Sequence, residues 1–154
     1  MNVCVTDAQQ SQKPFRLGYI ATVGTDAGNP KFQAFRRGLR DLGYAEGKSI
    51  VIEHRSVEGR TDQIPSLVIE MVKLKVDVIV SAMSAAIEAA KEATKSIPVV
   101  MIAARDPVKS GFVASLAQPG GNITGVTRVT EELAGKRLEI LKEAVPQLAK
   151  IGVL

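Results

Sequence analysis

The sequence predicts a doubly wound α/β domain with a flavodoxin-like parallel sheet in the strand order 2-1-3-4-5. Apolar runs recur about every 25 to 30 residues, which is the repeat length of a strand–helix unit. Between these runs, apolar residues follow the three- and four-residue spacing of amphipathic helices. The segment Ser49–Arg55 instead alternates between apolar and polar residues, which indicates a half-exposed strand at a sheet edge. An edge position for the second strand favours this strand order, with helices on both faces.

The apolar runs that predict strands are Leu17–Ala21, Ile50–Ile52, Val76–Val80, Val99–Ala103, Ile123–Val126 and Ile151–Leu154. The third and fourth runs are almost continuously apolar, as expected for central parallel strands that are buried on both faces. In the second strand, Ile50, Ile52 and His54 face one way, opposite to Val51, Glu53 and Arg55. His54 therefore shares an apolar face, and we expect it to be a partly buried structural residue.

Four stripes predict helices, and their members are Phe32, Phe35, Leu39 and Leu42; Ile64, Leu67, Met71 and Leu74; Ala86, Ala89, Ala90 and Ala93; and Ala134, Leu138, Leu141, Val145 and Leu148. The third stripe consists of small residues, so that helix is expected to lie close to the sheet. The last helix is expected to end near Pro146 or soon after it. Pro119–Asn122 reads Pro-Gly-Gly-Asn, a turn signal that we expect to be structural.

The composition argues against several functional classes. The 20 basic and 16 acidic residues are scattered over the 154 positions, and no basic stripe or nucleic-acid reading motif is present, so no nucleic-acid partner is expected. Cys4 and His54 are the only cysteine and histidine, which leaves no Cys–His pair or cysteine-based metal site. No Gly-x-x-x-x-Gly-Lys pattern surrounds Pro119–Asn122, and no Gly-x-Gly-x-x-Gly pattern follows the first strand. We therefore expect no enzymatic activity, no cofactor and no metal.

The binding crevice of such a sheet lies beyond the carboxyl ends of its strands, at the switch in strand order. This rule selects the loops Thr22–Asp26, Ser56–Gly59, Ser81–Ala85, Ala104–Pro107 and Thr127–Val129. Small hydroxyls and backbone amides dominate them, which suits hydrogen bonding to a solute. The predicted ligand-binding residues are Thr22, Thr25, Ser81, Ser84, Ala85, Asp106 and Thr127.

Two of these residues have an alternative role that the sequence leaves open. Ser84 and the first amides of the following helix form an anion site for a carboxylate, or Ser84 only caps that helix. Asp106 pairs with a ligand ammonium group at the mouth of the crevice, or it caps the short turn that begins at Pro107.

Four segments, in their order and spacing, resemble the substrate-binding proteins of bacterial ABC importers, in the branch whose members include aromatic amino-acid binders. The segments are FRRGLRDLGYAEGKSIVIEHR, VDVIV, DPVKSGFVASLAQPGGNITG and LAGKRLEILKEAVPQLAKIGVL. The resemblance implies one lobe of a type I periplasmic-binding fold, with a solute captured in a cleft between two lobes and handed to an ABC permease. The resemblance favours an amino acid as the solute, and an aromatic one in particular. The loop SAMSAA departs from the Gly and Thr-Pro that this family often has there.

The same resemblance implies a division of the chain into three parts. Residues 1–14 form a polar leader that we expect to be disordered, and residues 15–130 form an N-terminal Rossmann-like lobe. Residues 131–154 correspond to a crossover helix and to the first strand of a second lobe, which is missing here.

Export to the periplasm or cell surface is expected, although the leader lacks the apolar core of a signal peptide. Cys4 is either a lipid anchor or part of a remnant of cloning or of a misassigned start. Contact with a membrane is therefore expected only through the permease or such an anchor. A flavodoxin-like enzyme domain and the sensing lobe of a regulatory protein are the alternative classes.

Overall fold

Five parallel strands form one sheet in the order β2-β1-β3-β4-β5, as the sequence predicts. The computed structural model describes residues 13–22, 24, 29–128, 131–147 and 150. Residues 1–12 of the leader and the predicted strand Ile151–Leu154 lie outside the described residues. The elements are β1 Phe15–Ala21, α1 Pro30–Asp41, β2 Ile50–Ser56, a 3-10 turn Thr61–Gln63, α2 Ile64–Lys73, β3 Val78–Ser81, α3 Ser84–Ala93, β4 Val99–Arg105, β5 Ile123–Arg128 and α4 Glu131–Ala144.

The position of β2 confirms the edge predicted from its alternation. It pairs in parallel with β1 from Phe15↔Ile50 to Ala21↔Ser56, and β3 pairs with the other side of β1. Ile50 is buried, whereas the other β2 residues are only partly buried. On the face opposite Ile50, Arg55 reaches α2, where its Nη2 lies 2.7 Å from Glu70 Oε1. This outward face is therefore covered in part by a helix.

Each face of the sheet has its own hydrophobic core, which is the arrangement expected when helices cover both faces. The core under α1 contains Leu17, Tyr19, Ala21, Phe32, Ile50 and Val80. The core under α2 and α3 includes Ile20, Val68, Met71, Ile79, Ile87 and Val99. Neighbouring residues of β1 thus point into different cores, as the alternation of side chains along a strand requires.

The first helix begins and ends at recognisable signals. Asn29 caps it, because its Oδ1 accepts hydrogen bonds from Lys31 N at 3.1 Å and Phe32 N at 3.2 Å, and Pro30 occupies the first helical position. Gly43, at φ 89°, follows the last turn. Leu42, predicted as the last member of the apolar stripe, lies beyond the helix and is 77% exposed. That prediction was wrong: the helix ends at Asp41, and Leu42 is its C-cap residue, whose side chain faces solvent.

The third helix lies close to its neighbours, as its small residues predict. Ala86 and Ala90 are fully buried and Ala89 packs against the same core, but Ala93 is exposed. The last helix, α4, ends at Ala144, two residues before Pro146. Its apolar residues are largely exposed in this structure, among them Leu138, Ile140 and Leu141. The side chain of Ala134 and all of Leu148 lie outside the described residues.

The turn before β5 has the structural role predicted for it. Gly120 adopts φ 78°, and Asn122 Nδ2 donates to the carbonyl oxygens of Ile97, at 2.8 Å, and Thr94, at 3.2 Å. These bonds fix the start of β5 against the loop that precedes β4. Within the described part of the chain, no helix is both long enough and apolar enough to cross a membrane.

Candidate functional site

A cleft of about 390 Å³ opens at the carboxyl ends of β1 and β3. The end of β1, the first turn of α1 and the loop between β3 and α3 form most of its wall. β1 and β3 are adjacent in the sheet. The other neighbour of β1 is β2, and the other neighbour of β3 is β4, so the strand order runs in opposite directions from this point. The cleft therefore lies at the topological switch point, where ligands bind in open α/β sheets.

The loop after β3 is held by Ser81, which is fully buried. The Ser81 hydroxyl donates to the Ile20 carbonyl oxygen at 2.9 Å and accepts a hydrogen bond from Met83 N at 3.1 Å. Ser81 thus ties the end of β3 to the end of β1 and aims the chain into α3. It acts behind the cleft wall and orients the residues that form the wall.

The N-terminus of α3 faces this cleft without a side-chain cap. Met83 is the N-cap residue, and no side chain bonds to the first amides of the helix. Ser84 occupies the first helical position, so the alternative in which it only caps α3 was wrong: the N-cap position falls on Met83, one residue earlier. Ser84 and Ala85 both line the cleft. The first amides of a helix carry partial positive charge and bind anions.

The opposite wall supplies a cation. Lys31, in the first turn of α1, lines the cleft, and among the described residues no carboxylate pairs with its ammonium group. The first amides of α1 are already bonded to Asn29, in contrast to those of α3. Lys31 and the α3 N-terminus therefore make one cleft suited to the carboxylate of a small solute.

The structure brings together some of the predicted site residues and separates others. Thr22, Ser84 and Ala85 line the cleft, and Ser81 supports it. Thr25 lies outside the described residues. The Thr127 hydroxyl donates a hydrogen bond to the Ala104 carbonyl oxygen at 2.7 Å. Thr127 lines a different, smaller cavity of about 110 Å³.

Asp106 has the capping role that the sequence left as an alternative. Its Oδ1 accepts a hydrogen bond from Lys109 N at 3.0 Å, and Lys109 Nζ lies 3.2 Å from Oδ2. The bond from the Lys109 backbone lowers the pKa of Asp106. Asp106 adopts φ 32°, in the left-handed region, and does not line the larger cleft. Its carboxylate stabilises the turn that starts at Pro107.

Four polar residues of the cleft wall were not predicted from the sequence: Tyr19, Asn29, Lys31 and Thr61. The pair Asn29-Pro30 is a helix-start signal, and it could have placed Lys31 in the first turn of α1 beside the crevice. Thr61 comes from the 3-10 turn, two residues beyond the loop selected after β2. Tyr19 lies within an apolar run and carried no signal of its own.

Comparisons with known proteins point to one family. The family profile described as "ABC transporter substrate binding protein" matches residues 17–154. A curated "Tyrosine-binding protein" from Clostridioides difficile (strain R20291) is 33% identical over 144 residues, which cover 94% of this chain and 41% of that protein.

Two solved structures have the same fold. A conserved domain protein from Vibrio cholerae superposes with a TM-score of 0.73 at 29% identity, over 88% of this chain and 45% of that one. The ligand-free, open structure of a substrate binding protein with adhesive properties from Clostridium difficile gives 0.71 at 27% identity, over 86% and 44%. The chain therefore spans less than half the length of each of these relatives.

Proposed function

This chain belongs to the ABC transporter substrate binding protein family, and from that membership we propose that it captures a free amino acid for an ABC importer. The solute is an aromatic amino acid, because the 33% identical relative is named for tyrosine binding. In this proposal the protein works outside the cytoplasm, in the periplasm or at the cell surface, and delivers the solute to an ABC permease. It performs no chemistry on the solute.

The observation that carries the proposal is the uncapped N-terminus of α3 at the switch-point cleft. The Ser84 hydroxyl and the amides of Ser84 and Ala85 bind the solute carboxylate, and Lys31 neutralises its charge from the other wall. Thr22 and Thr25 contribute hydrogen bonds from the first loop. The helix dipole and the ammonium group both favour an anion, so a carboxylate is the end of an amino acid that this wall accepts best.

The rest of the solute faces the open side of the cleft. We propose that a second lobe, joined through residues 131–154, closes over it and excludes water. The exposed apolar residues of α4 and of β5, such as Leu138 and Val126, support a partner that covers these two elements. Asp106 and Thr127 contact the solute only in that closed state, with Asp106 sharing its carboxylate between Lys109 and the solute ammonium group.

Calorimetric titration with a panel of amino acids tests the proposal. L-tyrosine, L-phenylalanine and L-tryptophan are expected to bind, and L-tyrosinamide, which lacks the carboxylate, is expected to bind at least tenfold more weakly. Ser84→Ala should weaken binding of the acids while leaving the melting temperature nearly unchanged, since the hydroxyl caps nothing. Failure of every amino acid to bind, or equal affinity for acid and amide, would contradict the proposal.

A further inference from the structure

Tyr19 is the most deeply buried of the polar residues that line the cleft. It lies two residues before the end of β1 and is 5% exposed. Its ring packs on Phe32, at 4.8 Å between centroids, and on Phe35, at 5.2 Å. His54, which pairs with Tyr19 from the neighbouring strand β2, stacks on the ring at 5.7 Å between centroids. The ring is therefore held in one position by aromatic neighbours from α1 and β2.

The Tyr19 hydroxyl has no hydrogen-bond partner among the residues that the structure describes, although Tyr19 lines the cleft. Burial raises the pKa of Tyr19, so the phenol keeps its proton at neutral pH and remains a donor. The hydroxyl oxygen is not among the buried unpaired atoms, so it is open to the water of the cleft, and an acceptor on a ligand that enters the cleft can replace that water.

We infer that Tyr19 is a solute-binding residue whose phenol O–H donates a hydrogen bond to the carboxylate of the solute. This inference rests on the proposed function and adds a third donor to the α3 amides and Lys31. The ring of Tyr19 is packed against the rings of Phe32, Phe35 and His54, so the hydroxyl is the part of the side chain that remains for a ligand. Bonds from a neutral donor to an ionised acceptor are stronger than neutral pairs, which favours the carboxylate over other solute groups.

Tyr19→Phe isolates the hydroxyl, because it keeps the ring and its packing. Since the hydroxyl bonds to nothing in the described part of the chain, the variant should melt at the same temperature as the parent or slightly higher without solute. Its affinity for L-phenylalanine should fall about tenfold or more. Tyr44→Phe is the matched control: Tyr44 is 44% exposed, lies in the turn after α1 and should affect neither property.

Fluorescence gives a readout that a merely structural role would not change. The chain has no tryptophan and two tyrosines, so Tyr44→Phe leaves Tyr19 as its only tyrosine emitter. Titration of that variant with L-phenylalanine should change the Tyr19 emission as the phenol donates to the carboxylate. L-phenylalaninamide, added until the same fraction of protein is bound, should change it much less.

The outcomes separate the two hypotheses. If the parent chain binds L-phenylalanine but Tyr19→Phe binds it equally well and the emission stays constant, this inference is wrong and the proposed function stands. If Tyr19→Phe weakens the acid and the amide by the same factor, the hydroxyl does not recognise the carboxylate, and the inference is again wrong. If the parent binds none of the amino acids, the proposed function fails, and with it the role assigned to Tyr19.

Discussion

The Ser81 hydroxyl donates a 2.9 Å hydrogen bond to the carbonyl oxygen of Ile20, and this bond joins the ends of the two strands that flank the switch point. Both residues are fully buried. Because the same hydroxyl accepts from Met83 N, one side chain sets the spacing of β1 and β3 and the direction in which α3 begins. The geometry of the cleft thus depends on a residue that does not line it.

Ser81→Ala should lower both stability and affinity. The substitution leaves the Ile20 carbonyl and the Met83 amide without their partner, which should cost about 1–3 kcal/mol of unfolding free energy. Denaturant unfolding measures this loss, and solute titration should show weaker binding because Ser84 and Ala85 are no longer held in place. Ser49→Ala is the control: its hydroxyl also bridges an amide and a carbonyl, both of Ala45, but at an exposed site. An equal loss in both variants would contradict the role given to Ser81.

Lys31→Met should weaken binding of carboxylate solutes by about 0.5–1 kcal/mol, since Lys31 is exposed and water screens its charge. The difference in affinity between parent and variant should shrink as salt is added, because salt screens the charge of Lys31 in the parent. Titrations at low and high ionic strength measure both changes. Lys48→Met removes the same charge from the turn before β2, at the end of the sheet opposite the cleft. If that variant lost as much affinity, overall charge rather than Lys31 would be the cause.

Gly125→Ala should destabilise the protein by about 3 kcal/mol or more. Gly125 adopts φ 142°, and a Cβ there would lie 2.0 Å from the Met101 carbonyl oxygen of β4. The backbone of β4 or β5 would have to move, next to the register shift between Ile102 and Ala104. In contrast, Gly38→Ala in α1 meets nothing within 4 Å and should stabilise the helix by about 0.5–1 kcal/mol. Thermal and denaturant unfolding of the pair checks these opposite signs.

Asp106→Asn should change the pH dependence of stability. The pKa of Asp106 is lowered in the folded state, chiefly by the hydrogen bond from Lys109 N. Its carboxylate therefore stabilises the fold above the unfolded-state pKa of about 4, and this contribution is lost as the pH falls through the folded-state pKa. Asparagine tolerates the left-handed backbone and still accepts the bond, but it carries no charge. The melting temperatures of parent and variant should differ most near pH 7 and converge in acid. A difference that is constant with pH would show that the charge contributes nothing.

The sequence alone determined the type of each strand and α-helix that the structure describes, the strand order and the edge position of β2. These features follow from periodicity, because a strand buried on both faces must be apolar throughout and a strand at an edge alternates. The same reasoning selected the loops after the strands as the candidate site, and Thr22, Ser84 and Ala85 do line the cleft. It also placed His54 on an apolar face, where it stacks on Tyr19.

Only the tertiary structure decided where helices begin and end and which side chains meet across the cleft. Leu42 continues the helical spacing of α1, yet the Gly43 turn takes it out to solvent. Ser84 has the chemistry of a cap, yet the bonds of Ser81 start α3 at Ser84 itself and leave Met83 as the cap. Tyr19 is one more apolar position in the sequence until Phe32, Phe35 and His54 surround its ring and leave its hydroxyl without a partner among the described residues. Periodicity reports how a residue faces its own element, whereas these outcomes depend on contacts between elements that are distant in the chain.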